Sequence, residues 1–292
     1  MSHDNQYLAG LRDILVNGTV RHDRTGVGTI SLFGSRQVYD LQQGFPALTT
    51  KKLAWKAVVS ELLWFIEGSG DERRLCEILH NTRDPAKTTI WTQNANAPYW
   101  STRAQFTGDV GRIYGVQWRD WTNPYGQEVD QLAELITGLI NDPFSRRHIL
   151  TAWNPGELSL MALPPCHCFS QFYVREENGQ KFLDCQMYQR SNDFFLGGPF
   201  NVASYSLLTH LLALVTDLQP GKLVHVSGDA HIYSNHVDQV NEQLSREPMA
   251  SPTLVVGLNI NNQSPHIDGF TMSDIRLHNY ASHPAIKAPM AV

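Results

Sequence analysis

FNVASYSLLTHLLALVTDLQPGKLVHVSGDAHIY, residues 200–233, joins two segments of different character. Phe200–Asp217 is apolar around most of its girth, which predicts a deeply buried helix. Lys222–Tyr233 reads as a strand leading into a polar site, with His231 and Tyr233 on one face. Upstream, LAWKAVVSELLWFIEG (Leu53–Gly68) predicts a second buried helix, with Glu61 inside it. Further helices are predicted from Tyr7, Leu8, Leu11, Ile14 and Leu15, stopped by Asn17-Gly18, and over Asp130–Asn141. Strand-like runs cover Gly28–Leu41, His148–Trp153, Cys168–Val174 and Lys181–Tyr188. Asn81–Gly115 is polar and irregular and reads as a long loop, a length that is usually functional or disordered. Helices and strands interleave without a regular βαβ rhythm, and no linker or repeat divides them. The expectation is one α+β domain over residues 1–292, not a doubly wound fold.

The 292 residues carry 42% hydrophobic and 17% charged side chains, as in an ordinary globular protein. A net charge of −5 lacks the basic excess that non-specific nucleic-acid binding needs, so DNA is not expected as the main partner. MSHDNQYLAG has no basic region followed by an apolar run, and no stretch reaches about 18 consecutive apolar residues. A cytoplasmic location and no membrane partner are expected. Four cysteines in so long a chain predict reduced thiols.

LPPCHCFSQFYV (Leu163–Val174) places Cys166, His167 and Cys168 together. A metal site would need a second Cys/His pair, which is missing, and no metal is expected. A redox pair more often has two intervening residues, and buried structural thiols are common. A nucleophile needs nearby cations. Ser145-Arg146-Arg147 and Gln189-Arg190-Ser191, at the ends of predicted strands, and Asp23-Arg24-Thr25-Gly26, in a turn, offer guanidiniums and a hydroxyl suited to a phosphate monoester. Each arginine taken alone fits an exposed face equally well. Glu61, among Val58, Val59, Leu62, Leu63 and Trp64, predicts a buried carboxylate with a raised pKa. His231 and Tyr233 suit either a site or a satisfied core. Gly26-Val27-Gly28 lacks the third glycine and the strand-to-helix context of a dinucleotide site.

LPPCH, YQRSNDFFLGGPFNVASY (Tyr188–Tyr205), GDAHIYSNH (Gly228–His236), DRTGVGT (Asp23–Thr29) and the closing HPAIKAPMAV together resemble the folate-dependent thymidylate synthase family, in its order, from about Tyr7 to Val292. The resemblance implies a three-layer fold with a mixed β-sheet at a homodimer interface. It implies dUMP and methylenetetrahydrofolate as substrates, dTMP and dihydrofolate as products, and no flavin or NAD.

By the same resemblance, Cys166 is the nucleophile and Cys168 a strand bystander, with Glu61, Arg190 and Asp193 as the other catalytic matches. Arg24, Arg190 and Ser191 match phosphate ligands, and Arg146 and Arg147 match a pair entering the partner's site. Asp193 also matches a substrate contact. His231 and Tyr233 match ligands of the deoxyribose hydroxyl, and Asn201 the reader of the pyrimidine edge. Lys51, Trp91, Asp193, Leu196, Gly197, Phe200 and Ala291 match the folate side. The pattern departs at Thr92-Gln93-Asn94, in the longer loop before Tyr114, and at Arg112 in place of the usual proline, all bordering that side. A pyrimidine hydroxymethylase, which adds water instead of hydride, shares these motifs. A silent nucleotide-binding or messenger-binding relative fits Cys166, Glu61 and Asn201 poorly.

Overall fold

The computed structural model describes residues 2–22, 26–257 and 265–289. In chain order, α1 (Asp4–Asn17), β1 (Thr19–Arg21), β2 (Thr29–Asp40), α2 (Trp55–Ile66) and α3 (Glu72–His80) come first. The short α4 (Thr92–Ala95), α5 (Pro98–Ser101) and α6 (Tyr114–Arg119) follow, then β3 (Trp121–Thr122) and β4 (Glu128–Val129). Next are α7 (Gln131–Asn141), β5 (Ile149–Thr151), β6 (His167–Glu177), β7 (Gln180–Asp193), α8 (Gly198–Val215) and β8 (Gln219–Tyr233). The chain ends with α9 (Val237–Leu244), β9 (Thr253–Val256) and β10 (Ile275–His278).

The large sheet runs β1-β2-β8-β7-β6-β5. Its neighbours are antiparallel except β7 and β8, which are parallel, so the α+β fold holds a mixed sheet. Parallel neighbours need a crossover, and α8 supplies it. Pro199 in the first turn of α8 presets its start, and the remainder is apolar on almost every face. Thr209, and Thr216 just past the end of α8, donate to Tyr205 O and Leu212 O, 2.7 Å each, so both hydroxyls are satisfied by carbonyls of the helix. Leu207, Leu208, Leu211 and Leu212 have no exposed surface, and truncating one to alanine costs about 2–5 kcal/mol.

α2 is buried in the same core, and α1 lies over a second one built with Phe194, Phe195, Ala230 and Ile232. The Asp4 carboxylate of α1 is fully buried. It accepts from Thr49 N, Thr50 N and Thr50 Oγ1 at 2.8–3.1 Å, fixing the turn that leads into Lys51.

The long irregular segment differs from its reading in one respect: it contains α4 and α5, and α6 begins within it at Tyr114. The strand read as ending at Tyr188 continues to Asp193, so Arg190 and Ser191 lie inside β7 rather than beyond its end. Side-chain apolarity stops there, but backbone pairing with β8 carries the ladder onward to Asp193 and His231. Among the described residues no helix is long and apolar enough to cross a membrane.

Candidate functional site

The period of two along a strand places Gln189, Ser191 and Asp193 on one face of β7. The parallel register sets them beside Ser227, Asp229 and His231 of β8. His225 and Tyr233 share that face, and Ser31 of β2 pairs with His231. Polar side chains on three neighbouring strands therefore converge at one end of the sheet.

Cys166 lies at a bend immediately before β6 and is partly exposed. Its backbone N–H donates to Tyr114 Oη at 2.7 Å, and its carbonyl accepts from Arg190 N at 2.8 Å. Arg190 Nη2 is 4.0 Å from Sγ, while the same guanidinium donates to Pro164 O and Pro165 O at 2.9 Å. Burial pushes the thiol pKa up, and the Arg190 charge opposes that rise. Cys168 points elsewhere, with Sγ against Pro165 O and Cys166 O. All four cysteines are unpaired.

Glu61 is only partly covered as a whole residue, but its carboxyl is enclosed. Burial raises its pKa to about 7, and the hydrogen bond from Trp91 Nε1 to Oε1, 2.7 Å, pulls it down. Such a group exchanges protons at neutral pH. Trp91 is placed by an unusual anchor. Arg73 forms a bidentate pair with Glu72 (2.6 and 2.5 Å) and donates to Asp84 O and Lys87 O at 3.0 Å. Glu72 accepts from Thr89 and Thr92 hydroxyls at 2.6 and 2.7 Å, and Thr89 Oγ1 accepts from Trp91 N. Both ions are buried, at 1% and 7% exposure.

Asn201, in the first turn of α8, accepts at Oδ1 from Gln189 Nε2 at 3.0 Å. His231 Nδ1 faces Asp229 Oδ1 at 3.1 Å, and Asp229 also accepts from Ser31 and Arg21. The Tyr233 ring lies edge-on to His231. Asp193 ends β7 and accepts from Phe195 N and Leu196 N, shaping the turn through Leu196 and Gly197 into α8. Leu196, Gly197 and Phe200 are half-buried beside Asn201. Lys51 is buried against the Phe195 ring, Nζ 3.6 Å from its centroid, and donates to Phe195 O. Burial lowers its pKa to about 7, against the pull of Asp193.

Arg146 and Arg147 stand apart from this cluster, exposed on the segment before β5, with no ion partner among the described residues. Arg24 and Ala291 lie outside the described residues. Arg112 joins Glu157 (2.7 Å) and Asp120 (2.8 Å), and its backbone N–H donates to Leu160 O. That ties the loop before Tyr114 to the approach to Cys166. Thr92, another departure, is part of the Glu72 anchor.

Sequence reasoning gave no role to Tyr114, Gln189 or His225, and weighed His167, which stacks on Tyr114 at 4.0 Å, only as a metal ligand. The alternation that picks out His231 also reaches His225, and that of Ser191 reaches Gln189; Tyr114 had no such signal. Among the described residues no cluster of His, Cys, Asp or Glu could hold a metal ion. The site thus joins a thiol beside a guanidinium, a carboxyl poised near neutrality and an amide presenting donor and acceptor together. The family model for thymidylate synthase matches residues 5–292, and the chain belongs to that family. It is therefore a transferase of dTMP biosynthesis acting on dUMP, by methylation or hydroxymethylation.

Proposed function

We propose that this member of the thymidylate synthase family converts dUMP and methylenetetrahydrofolate to dTMP and dihydrofolate through a covalent adduct on Cys166. The observation that carries the reading is Sγ at 4.0 Å from the Arg190 guanidinium, beside the polar end of the sheet. The thiolate adds to C6 of the uracil ring and makes C5 a nucleophilic enolate carbon, which an unactivated vinyl carbon is not. Arg190 favours the thiolate by its charge. Glu61, with a pKa of about 7, relays protons to and from the ring. Asn201 accepts from N3–H and donates to O4 of uracil.

Arg190, Ser191 and Arg24 bind the phosphate, and His231 and Tyr233 the deoxyribose hydroxyl. Asp193 shapes the turn beneath the nucleotide and folate. Lys51, Trp91, Leu196, Gly197, Phe200 and Ala291 line the folate side, where the half-buried Leu196 and Phe200 suit a flat heterocycle. When bound, methylenetetrahydrofolate supplies both the one-carbon unit and the hydride.

Residues 1–292 act as one catalytic unit in the cytoplasm, and the active form is a homodimer in which Arg146 and Arg147 complete the partner's site. Two features support the dimer: those exposed guanidiniums, and the outer sheet face, where Phe169, Tyr173, Tyr188 and Val226 are only partly covered. Sedimentation reads the oligomeric state.

The deciding experiment incubates the protein with dUMP and methylenetetrahydrofolate and reads product mass and dihydrofolate absorbance. dTMP with equimolar dihydrofolate is the expected result. Hydroxymethyl-dUMP without dihydrofolate would replace this reading with the hydroxymethylase, and no altered nucleotide would sink both.

A further inference from the structure

The amide of Gln189 sits at the centre of a buried polar relay. Its Nε2 donates to Ser191 O at 3.1 Å and to Asn201 Oδ1 at 3.0 Å, which uses both amide hydrogens. Ser191 O is a backbone acceptor held by the strand, so a rotated Gln189 amide would set carbonyl against carbonyl. Gln189 Oε1 then faces His225 Nε2 at 2.9 Å and needs a donor there.

His225 meets that need in one tautomer. Its ring is 1% exposed, and burial drives its pKa down to about 4, so it is neutral near pH 7 and carries one N–H. Nδ1 is buried without a hydrogen-bond partner among the described residues. Placing the proton on Nε2 leaves a bare lone pair at Nδ1 rather than a stranded N–H. Ser227 Oγ, 3.5 Å from Nε2, is held by Asn192 Nδ2 at 2.9 Å.

The consequence reaches the cleft. With Gln189 donating to Asn201 Oδ1, the Asn201 amide can turn only one way without opposing two donors. In that sense Oδ1 accepts and Nδ2 donates, the complement of an N–H beside a carbonyl. A ring bearing a bare nitrogen beside an amino group requires the opposite sense. We infer that His225 is a specificity-determining positioning residue that acts through Gln189 to lock Asn201 for uracil nucleotides and against cytosine nucleotides. The inference rests on the proposed function only in taking Asn201 to face the pyrimidine.

The test measures dissociation constants and kcat/KM for dUMP and dCMP in the parent protein, His225→Leu and His225→Gln. His225→Leu leaves Gln189 Oε1 buried and unpaired, so both amide senses become strained. The dUMP:dCMP preference should fall at least about tenfold, the scale of one unmade buried hydrogen bond. The fall should come mainly from improved dCMP binding. His225→Gln, whose amide nitrogen can donate from nearly the same place, should restore the preference. A merely structural role would weaken both nucleotides alike, and an unchanged ratio in folded His225→Leu would overturn the inference. If that variant does not fold, Gln189→Glu, which removes the donor to Asn201, must erode the ratio, and an unchanged ratio there overturns it equally. A parent protein that binds neither nucleotide would instead overturn the reading of the function.

Discussion

The site has a floor and a wall, built on different principles. On the floor, Gln189, His225 and His231 occupy register positions of β7 and β8, and the neutral Gln189 amide hydrogen-bonds to both His225 and Asn201. On the wall, Trp91 and Glu61 meet because a buried Glu72–Arg73 pair grips a loop that has no ladder to hold it. A strand position is secured by many backbone bonds, so changing one floor side chain should alter chemistry or selectivity and spare the fold. The wall hangs on two charges. Breaking a buried ion pair leaves one ion stranded, so changes there should reach stability.

The sharpest use of this contrast is at the floor's edge. Cys166→Ser should lower turnover on the order of a thousandfold or more while dUMP affinity, measured by calorimetry, is largely kept. Cys168→Ser should turn over much as the parent does. Equal, severe losses from both would break the assignment of a single nucleophile. On the wall, Arg73→Met should cost about 3–5 kcal/mol in denaturant melts, because Glu72 remains buried and unpaired. Arg74→Ala is the control: its partners Glu67 and Glu77 are two-fifths exposed, and the loss should stay within about 1 kcal/mol. If the two variants melt alike, the wall does not hang on that pair.

Floor and wall also answer pH with opposite signs. Burial lowers His225 to about 4 and His167 to about 3, and the α8 residue His210 behaves as His225 does. Their contribution to stability is complete above the ordinary value of 6.5 and is lost as pH falls toward 4 and then 3. Glu61 is raised from 4.5 to about 7, so its contribution is complete below 4.5 and is lost as pH rises through 7. Melts of the parent and of His210→Leu should show acid destabilisation from pH 6.5 to 4 that is shallower in the variant; parallel curves would remove His210 from the account. The smallest expected effect is in Trp91→Phe. Losing the indole hydrogen bond raises the Glu61 pKa further, so the Glu61 limb of the kcat/KM profile should move to higher pH. A limb that stays in place would detach Trp91 from Glu61.

What the sequence disclosed divides along the same line. The apolar girth of α2 and α8 and the run into His231 and Tyr233 were legible because burial writes itself into composition. Arg190 and Ser191 were misplaced at a strand end, since pairing with β8 continues on backbone bonds after the apolar alternation stops. ERRLCEILH of α3 carries a short apolar stripe, Leu75, Cys76, Ile78 and Leu79, that went unread between charged residues, and its first turn is secured by the Glu72–Arg73 pair and by Asp71, which caps Arg73 N. Tyr114, whose hydroxyl receives the Cys166 N–H, lies 52 residues away in sequence. No local pattern could connect them.

The parallel pairing of β7 with β8 also has a consequence for how the protein is made. β2 leaves the ribosome early, yet its partner in the sheet is β8, with Thr29 opposite Tyr233. At about 5–20 residues per second, β2 waits about 10–40 seconds for that partner to be synthesised. Throughout that interval one of its edges is an unpaired template open to other chains. The completed sheet closes late, when α8 has emerged and carried the chain back across, so newly made protein should be most prone to aggregation just before residue 233 appears.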